Sequence, residues 1–221
     1  MLDYIFLILF FIVVIIELYG EIKENFKITI IFKALLMPML IFFYLFGAPF
    51  GRIDWFIVVA LIFGLGGDIL LGLKNQEKWF LFGMLSFLLN QIFYIISFFL
   101  SISNIALFPL WGLFLLGPVI LIIIINVPKF INKTEKMKIP VLVYMAAILL
   151  MHLAAIFRLA QYSGLPFIFI YMGSVLFVFS DSFVAIEAFG EKFSGIRIVV
   201  MTTYTLAQFY ITLGALLTSL L

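Results

Sequence analysis

The 221-residue chain contains no cysteine and only one histidine, and charged residues make up 11% of it. Without cysteine it can form no disulfide, no thiolate metal site and no cysteine nucleophile. A soluble domain ordinarily carries about 25% charged residues, so these few charges could not cover a water-facing surface. Hydrophobic residues account for 67% of the chain. The composition therefore excludes a soluble protein and predicts a polytopic membrane protein.

Apolar runs separated by charges or turn residues define the predicted membrane spans. The runs are long and continuous, unlike the short alternating strands of a membrane barrel. They predict eight helices, at about residues 4–19, 28–46, 55–73, 79–100, 105–126, 139–157, 165–186 and 198–220. Most are near the ~20 residues that a helix needs to cross the hydrocarbon. We expect an all-α bundle that forms a single integral membrane domain over residues 1–221.

The spans show a weak internal sequence similarity. The string GGD in span three reappears as FSD in span seven, and NQIFYI in span four resembles AQFYI in span eight. Two parallel four-helix halves would produce such a similarity. Chance similarity between short apolar strings would also explain it, because the spacings differ.

The distribution of lysine and arginine predicts the orientation in the membrane. Only Arg52 and Arg158 lie in the connectors after the even-numbered spans. The connectors after the odd-numbered spans hold Lys23, Lys27, Lys74, Lys78, Lys129, Lys133, Lys136, Lys138, Lys192 and Arg197. Short cytoplasmic connectors are enriched in basic residues. We therefore expect the odd connectors in the cytoplasm and both termini outside.

Several polar residues inside the spans share one depth. Asp68 and Asp181 each lie about five residues from the predicted cytoplasmic ends of spans three and seven, and Lys33 lies about as deep in span two. Three further polar residues follow at similar or slightly greater depth in spans six and eight: Tyr144, Tyr204 and Gln208. At 1.5 Å per residue most of them fall in a slab roughly 7–10 Å below the hydrocarbon edge.

This shared depth predicts one intramembrane site that contains both aspartates. A carboxylate at membrane depth costs roughly 2.5–3.5 kcal/mol on insertion scales, and such groups generally face a bundle interior or a wet cavity. A buried ion pair that only fixes helix packing is the structural alternative. Lys33 taken alone could also extend to the interface.

Other polar residues are expected to be structural. Glu17 and Glu187 lie at span ends and are interpreted as boundary charges. His152 lies in the outer half of span six, where a hydrogen-bonded packing role is expected. Since there is no histidine cluster, we predict no metal. Nothing in the sequence resembles a nucleic-acid-binding surface.

Five motifs resemble the lysoplasmalogenase (YhhN-like) family of eight-span membrane proteins. They are LIFGLGGDILLGL, FLFGMLSFLLNQIFYIISF, IPVLVYMAAILLM, GSVLFVFSDSFVAIEAF and TTYTLAQFYI. The segment FKALLMP in span two is similar to a lysine-proline segment of that family, although Ala34 stands where proline is common. The resemblance extends from about residue 27 to residue 215.

The resemblance implies an activity and a set of site residues. The named family activity is hydrolysis of the vinyl-ether bond of lysoplasmalogens, which gives a fatty aldehyde and glycerophosphoethanolamine or glycerophosphocholine. It implies a lysophospholipid substrate in the bilayer and no cofactor. The functional aspartates correspond to Asp68 and to Asp181 in the Ser180–Asp181 motif. The family pattern HxxY appears here as Gln91 with Tyr94, which removes a titratable group.

The two aspartates suit that chemistry. Protonation of the β-carbon of a vinyl ether gives an oxocarbenium ion, which water then captures. One carboxyl can donate the proton while the other stabilises the cation and orients water, as in glycosidases. Lys33 would bias that choice or contact the lipid phosphate. Tyr144, Tyr204 and Gln208 would order water or the glycerol.

Two other classes of function compete with the hydrolase. Paired intramembrane acids also relay protons in secondary transporters, and a lipid-handling protein could use them in the same way. Transport would collapse with the proton gradient, whereas an enzyme would work in detergent. A structural membrane protein without chemistry does not account for the shared depth of the polar residues.

Overall fold

The computed structural model describes residues 2–73 and 77–221, and within them every regular element is helical. Lys74, one of the basic residues counted above, lies outside the described residues. In hydrocarbon the backbone N–H and C=O groups must be satisfied internally, and a helix does this within one segment. The described residues contain eight helices that are long and apolar enough to cross a membrane. The predicted all-α architecture is therefore confirmed.

The helices that carry the eight spans agree with the predicted spans to within three residues at each end, apart from span five. Their bounds are α1 Leu2–Ile22, α2 Phe26–Gly47, α3 Trp55–Gly72, α4 Glu77–Leu100, α5 Gly117–Asn126, α6 Lys138–Phe157, α7 Leu165–Phe189 and α8 Ile196–Ser219. The first helix continues three residues beyond its predicted cytoplasmic end.

Span five is not one continuous α-helix. A 3₁₀ helix occupies Leu110–Leu116, and α5 begins only at Gly117. Pro118 stands in the first turn of α5, where its missing N–H leaves no helix hydrogen bond unmade. The apolar segment that is long enough to cross the membrane is Leu110–Lys133. Seven residues of 3₁₀ helix are unusual, because such runs seldom exceed three or four residues.

The chain divides into two compact units. Unit 1 comprises Met1–Ser97 and Thr212–Leu221, and unit 2 comprises Phe98–Ile211. Helices α4 and α8 therefore each contribute residues to both units. The expectation of a single membrane domain stays a prediction.

Side-chain caps begin two helices of unit 1. The Asn25 side chain accepts a hydrogen bond from the Ile28 N–H at the start of α2, at 3.3 Å. Asp54 accepts from the Phe56 N–H at the start of α3, at 2.9 Å. The second carboxylate oxygen of Asp54 accepts from the Ser97 hydroxyl at 2.6 Å, which ties the start of α3 to α4. These bonds satisfy backbone donors that a helix start leaves unpaired.

Glycines bring α3 and α4 of unit 1 into close contact. A Cβ atom built on Gly67 would lie 2.5 Å from the Phe87 ring, and one on Gly66 would lie 2.6 Å from the Ser86 hydroxyl oxygen. Small residues allow this close approach in membrane bundles. The contact lies one residue before Asp68, so it fixes the segment of α3 that carries that carboxyl.

In unit 2, α7 and α8 approach closely at Gly173. A Cβ atom there would lie 2.9 Å from the Ala207 carbonyl oxygen. At the end of α6, Arg158 is buried, with a relative exposure of 2%. Its guanidinium donates to the Ser101 hydroxyl and lies 4.4 Å from the centroid of the Tyr162 ring. Arg158 therefore contributes to helix packing, in addition to being one of the basic residues counted in the connectors.

We predict that Gly67→Ala lowers the thermal stability of the purified protein, by about 1–3 kcal/mol, because the added methyl overpacks the contact with Phe87. Gly72→Ala in the same helix is the matched control. Its Cβ would meet Ile30 at 3.4 Å, which is an ordinary contact, and helix propensity favours alanine. Thermal unfolding in detergent measures both. Equal stability of the two variants would contradict the proposed close packing.

Candidate intramembrane site

The first acidic cluster lies in unit 1 and contains Asp68 and Lys33. The Lys33 ammonium lies 3.7 Å from Asp68 Oδ1, and the exposed fractions of the two side chains are 18% and 1%. Asp68 is four residues from the end of α3 at Gly72, and Lys33 is seven residues from the start of α2 at Phe26. At 1.5 Å per residue these positions are about 6 Å and 10 Å inside their helices. The predicted neighbours are therefore in contact.

Glu17 belongs to the same cluster, and its interpretation as a boundary charge is wrong. Because α1 continues to Ile22, Glu17 lies about 7.5 Å inside the helix end. Its exposed fraction is 0%. Its carboxyl interacts electrostatically with Lys33 and Asp68. Among the described residues, neither Glu17 side-chain oxygen has a hydrogen-bond partner.

Gln91 and Tyr94, the predicted supporting residues of α4, are both fully buried. Their neighbour Asn90 donates to the Ala60 carbonyl oxygen at 2.7 Å. Ala60 precedes Asp68 by eight residues of α3, which is about 12 Å along the helix axis. This part of α4 therefore lies beyond the midpoint of α3, away from the level of Asp68. Within the described residues no hydrogen bond reaches the Gln91 amide group.

The second cluster lies in unit 2 and is centred on Asp181. The Tyr144 hydroxyl donates a hydrogen bond to Asp181 Oδ2. Tyr144 is six residues from the start of α6 at Lys138, and Asp181 is eight residues from the end of α7 at Phe189. These positions are about 9 Å and 12 Å inside their helices. The sequence analysis placed these two residues at about one depth, and in the structure they are in contact.

A chain of hydrogen bonds leads from the neighbour of Asp181 to the end of α5. Asn126 Nδ2 donates to Ser182 Oγ at 3.1 Å, and Lys129 Nζ donates to Asn126 Oδ1 at 3.0 Å. Sequence reasoning missed this chain, although Ser182 follows Asp181 directly and Asn126 ends an apolar run. Lys129 is exposed, so the chain connects a surface ammonium group to a residue next to the carboxyl.

Ser180 and Tyr204 connect α7 with α8, and Gln208 lies beside Tyr204 in α8. The Ser180 hydroxyl donates to the Val200 carbonyl oxygen at 3.0 Å, so its role in the structure is to join the two helices. Tyr204 packs edge-on against the Phe177 ring, with the centroids 5.8 Å apart. Gln208 lies one turn farther along α8, with its Nε2 3.5 Å from the Tyr204 hydroxyl.

The described residues include no group of three or more His, Asp or Glu side chains placed to hold a metal ion. In unit 1 the positive group beside Asp68 is the ammonium of Lys33. The single histidine is buried, and its Nδ1 lies 2.9 Å from the Ser174 hydroxyl oxygen. His152 thus has the hydrogen-bonded packing environment that we expected. The absence of a metal requirement stays a prediction.

The eight apolar helices, with carboxyls inside three of them, indicate a polytopic integral membrane protein. The model of the YhhN family matches residues 28–215, and the chain belongs to this family. A search of curated proteins and a search of solved structures return no match. The matched region includes Lys33, Asp68 and Asp181, whereas Glu17 precedes it.

Proposed function

We propose that this protein hydrolyses the vinyl-ether bond of lysoplasmalogen-type lysophospholipids. One observation carries the proposal: two aspartates inside membrane helices each have a specific polar partner. Asp68 is next to the ammonium of Lys33, and Asp181 accepts a hydrogen bond from Tyr144. Membership of the YhhN family supports a hydrolase of this type.

The reaction needs a proton donor and a carboxylate. A proton added to the β-carbon turns the vinyl ether into an oxocarbenium ion. Water adds to the carbon that bears oxygen and releases a proton, so the proton count is restored. The resulting hemiacetal collapses to a fatty aldehyde and the glycerol hydroxyl. Water is the only co-reactant.

Both aspartates have a neighbour that favours the carboxylate form. Asp68 lies beside the ammonium of Lys33, and Asp181 accepts a hydrogen bond from the Tyr144 hydroxyl. In the proposed reaction one of the two carboxyls donates the proton, and the other stays ionised and stabilises the cation. That Asp68 and Asp181 serve one site stays a prediction from the sequence.

The depth of the carboxyls suits a lipid substrate. A lysolipid keeps its ether linkage just below the headgroup while its chain stays in the leaflet. Asp68 and Asp181 lie about 6 Å and 12 Å inside the ends of their helices. A lipid could therefore reach an acid at this level without leaving the membrane.

The direct test is aldehyde release by the purified protein in detergent. We expect release from lysoplasmalogen and none from the saturated ether analogue, because only the vinyl ether can form the oxocarbenium ion by protonation. Detergent removes any proton gradient, so activity there also argues against a transporter. Failure to release aldehyde from the vinyl ether, together with gradient-dependent lipid movement in vesicles, would replace the hydrolase by a transporter.

Substitution tests the two aspartates. Asp68→Asn and Asp181→Asn should each lower kcat by about 10²-fold or more, which is the usual range for general acid catalysis. If both serve one site, the double variant should lose little more than either single variant, because groups that act as a unit are not additive.

The matched control is Glu187→Gln. Glu187 pairs with Arg197 at 2.7 Å near the end of α7, outside both clusters. It should retain normal turnover, and all variants should elute as folded protein in size-exclusion chromatography. Full activity of either aspartate variant would remove that residue from the mechanism.

The excess of basic residues in the odd connectors supports a cytoplasmic location for them and an outside location for both termini. The natural chain has no cysteine, so single cysteines can report this. Ser163 lies in the connector between α6 and α7, Ser194 lies in the one between α7 and α8, and both are exposed. In intact cells an impermeant maleimide should label Ser163→Cys, but label Ser194→Cys only after permeabilisation. The reverse pattern would invert the proposed orientation.

A further inference from the structure

The lysines between α5 and α6 differ in how their ammonium groups are placed. Lys129 Nζ donates a hydrogen bond to Asn126 Oδ1 at 3.0 Å, and Asn126 is buried at the end of α5. Lys133 pairs instead with Glu191 at 3.3 Å on the exposed surface. Among the described side chains, Lys136 forms neither a hydrogen bond nor an ion pair. Lys129 is therefore the lysine of this connector whose ammonium is fixed against a buried side chain.

The hydrogen bonds behind Lys129 run in one direction. An ammonium group donates and cannot accept, so Asn126 presents its oxygen to Lys129 and its NH₂ group to Ser182. The Ser182 hydroxyl accepts from Asn126 Nδ2 at 3.1 Å and donates its own proton to the Phe179 carbonyl oxygen at 2.7 Å. The bonds therefore connect the ammonium to the backbone of α7 in a consistent order, with the positive charge at the exposed end.

The Lys129 ammonium keeps donors for a ligand. It carries three N–H donors, and Asn126 accepts from one of them. Among the described side chains no carboxylate lies within ion-pair distance of this ammonium. A lysine loses rotamer freedom when a ligand fixes it, and the bond to Asn126 restricts part of that freedom in advance. Lys129 is thus a preorganised cation that can bind an anion.

The distance from Lys129 to the Asp181 segment suits a lysophospholipid. Two hydrogen bonds and one amide group separate the ammonium from Ser182 Oγ, so these two groups lie within about 9 Å of each other. In the lipid, five covalent bonds join the phosphorus to the ether oxygen, and they span roughly 6 Å when extended. An ammonium binds a phosphate oxygen at about 3 Å. A phosphate on Lys129 would therefore leave the ether linkage within reach of residues 180–182.

Lys33, the other lysine considered for the phosphate, is less suited to bind it. Its ammonium lies 3.7 Å from Asp68 Oδ1, so a phosphate there would compete with a carboxylate for one positive charge. The contact of Lys129 is the neutral amide of Asn126. Within the described side chains, no ion pair has to break before Lys129 binds an anion.

We propose that Lys129, positioned by Asn126, binds the phosphate of a lysophospholipid and so anchors the lipid with its ether linkage beside Asp181. The identity of the lipid rests on the proposed function, whereas the binding of a phosphodiester rests on the hydrogen bonds of Lys129. Ethanolamine and choline headgroups share this phosphodiester, so the site accepts both. Lys129 is a binding residue, and Asn126 is a positioning residue that acts through it.

The first test is calorimetric binding of the saturated ether analogue of lysoplasmalogen to the purified protein in detergent. This lipid keeps the phosphodiester and lacks the cleavable double bond. In Lys129→Gln the affinity should fall by about tenfold or more, which is the usual effect of losing a hydrogen bond to a charged group. Lys136→Gln is the matched control, because it removes the same charge from the same connector, and it should bind the lipid as the natural protein does.

Two further ligands show what Lys129 recognises. The alkylglycerol that lacks the phosphate should bind the natural protein and Lys129→Gln equally, and inorganic phosphate alone should bind more weakly than the lipid. Inorganic phosphate that binds as tightly as the lipid would make this a site for free anions and overturn the lipid assignment. Unchanged lipid affinity in Lys129→Gln, an equal loss in Lys136→Gln, or an equal loss for the alkylglycerol would overturn the phosphate site.

Asn126→Leu tests the positioning role. Leucine is close to asparagine in size but accepts no hydrogen bond, so Lys129 keeps its charge and loses its fixed position. Lipid affinity should fall by about threefold, which is the usual effect of one hydrogen bond. The double variant with Lys129→Gln should lose no more than Lys129→Gln alone, because the two residues act together. Additive losses would overturn the role of Asn126.

A rescue variant keeps the phosphate site testable if Asn126→Leu fails to fold. Lys129→Arg preserves the positive charge, so it should restore most of the lipid affinity that Lys129→Gln loses. All variants should elute as folded protein in size-exclusion chromatography. An arginine variant that binds as weakly as the glutamine variant would show that the charge is not what the lipid recognises, and would overturn the proposal.

The kinetics of aldehyde release separate this inference from the proposed function. Lys129→Gln should lower kcat/KM mainly through a higher KM, whereas Asp181→Asn lowers kcat. Loss of lipid affinity in Lys129→Gln, in a protein that cleaves no vinyl ether, would retain the phosphate site and remove the hydrolase. Aldehyde release with natural KM and natural lipid affinity in Lys129→Gln would retain the hydrolase and remove the phosphate site.

Discussion

A carboxylate inside the hydrocarbon has no water to hydrate it, so its partner must come from a neighbouring helix. This constraint organises unit 1. Lys33 of α2 and Asp68 of α3 lie 3.7 Å apart, so neither helix can shift without separating a charge from its partner. Glu17 of α1 is fully buried in the same unit. The glycine contact of α3 with α4 next to Asp68 adds a steric limit to the electrostatic one.

In unit 2 the same constraint is met through α7. Ser180, Asp181 and Ser182 are consecutive, and consecutive residues on a helix point about 100° apart. Their side chains reach the α8 backbone, Tyr144 of α6 and Asn126 of α5 respectively. One polar tripeptide therefore connects α7 to three helices. In a membrane there is no hydrophobic driving force between helices, so such hydrogen bonds add to van der Waals packing in holding the helices together.

The sequence predicted the eight helices because their length and hydropathy leave few alternatives in a bilayer. It also placed Lys33, Asp68, Tyr144 and Asp181 at about one depth. In the structure Lys33 contacts Asp68, and Tyr144 contacts Asp181. It missed Glu17 because the predicted end of α1 was three residues too early. The buried acid was therefore expected at the end of the span. The 3₁₀ segment before Gly117 was missed because hydropathy does not distinguish 3₁₀ from α-helix.

The side to which each polar residue turns could not be predicted either. In a helix that is apolar on all faces, the hydrophobic pattern does not show which neighbouring helix a side chain faces. The pattern therefore did not predict the different neighbours of Ser180 and Asp181. In the structure the Ser180 hydroxyl donates to a backbone carbonyl oxygen, and Asp181 accepts from the Tyr144 hydroxyl. The same applies to Gln91, which follows Asn90 and lies near the level of Ala60, far along α3 from Asp68.

The two aspartates differ in the partner that each has, and this difference bears on the proposed chemistry. Asp68 lies 3.7 Å from the ammonium of Lys33, whereas Asp181 accepts a hydrogen bond from the neutral hydroxyl of Tyr144. An ammonium brings a full positive charge to its carboxyl, whereas a hydroxyl brings only a dipole, so the two carboxyls have different electrostatic surroundings. The hydrolysis proposed above needs a proton donor and a fixed negative charge, and two carboxyls can fill these two roles only when their surroundings differ.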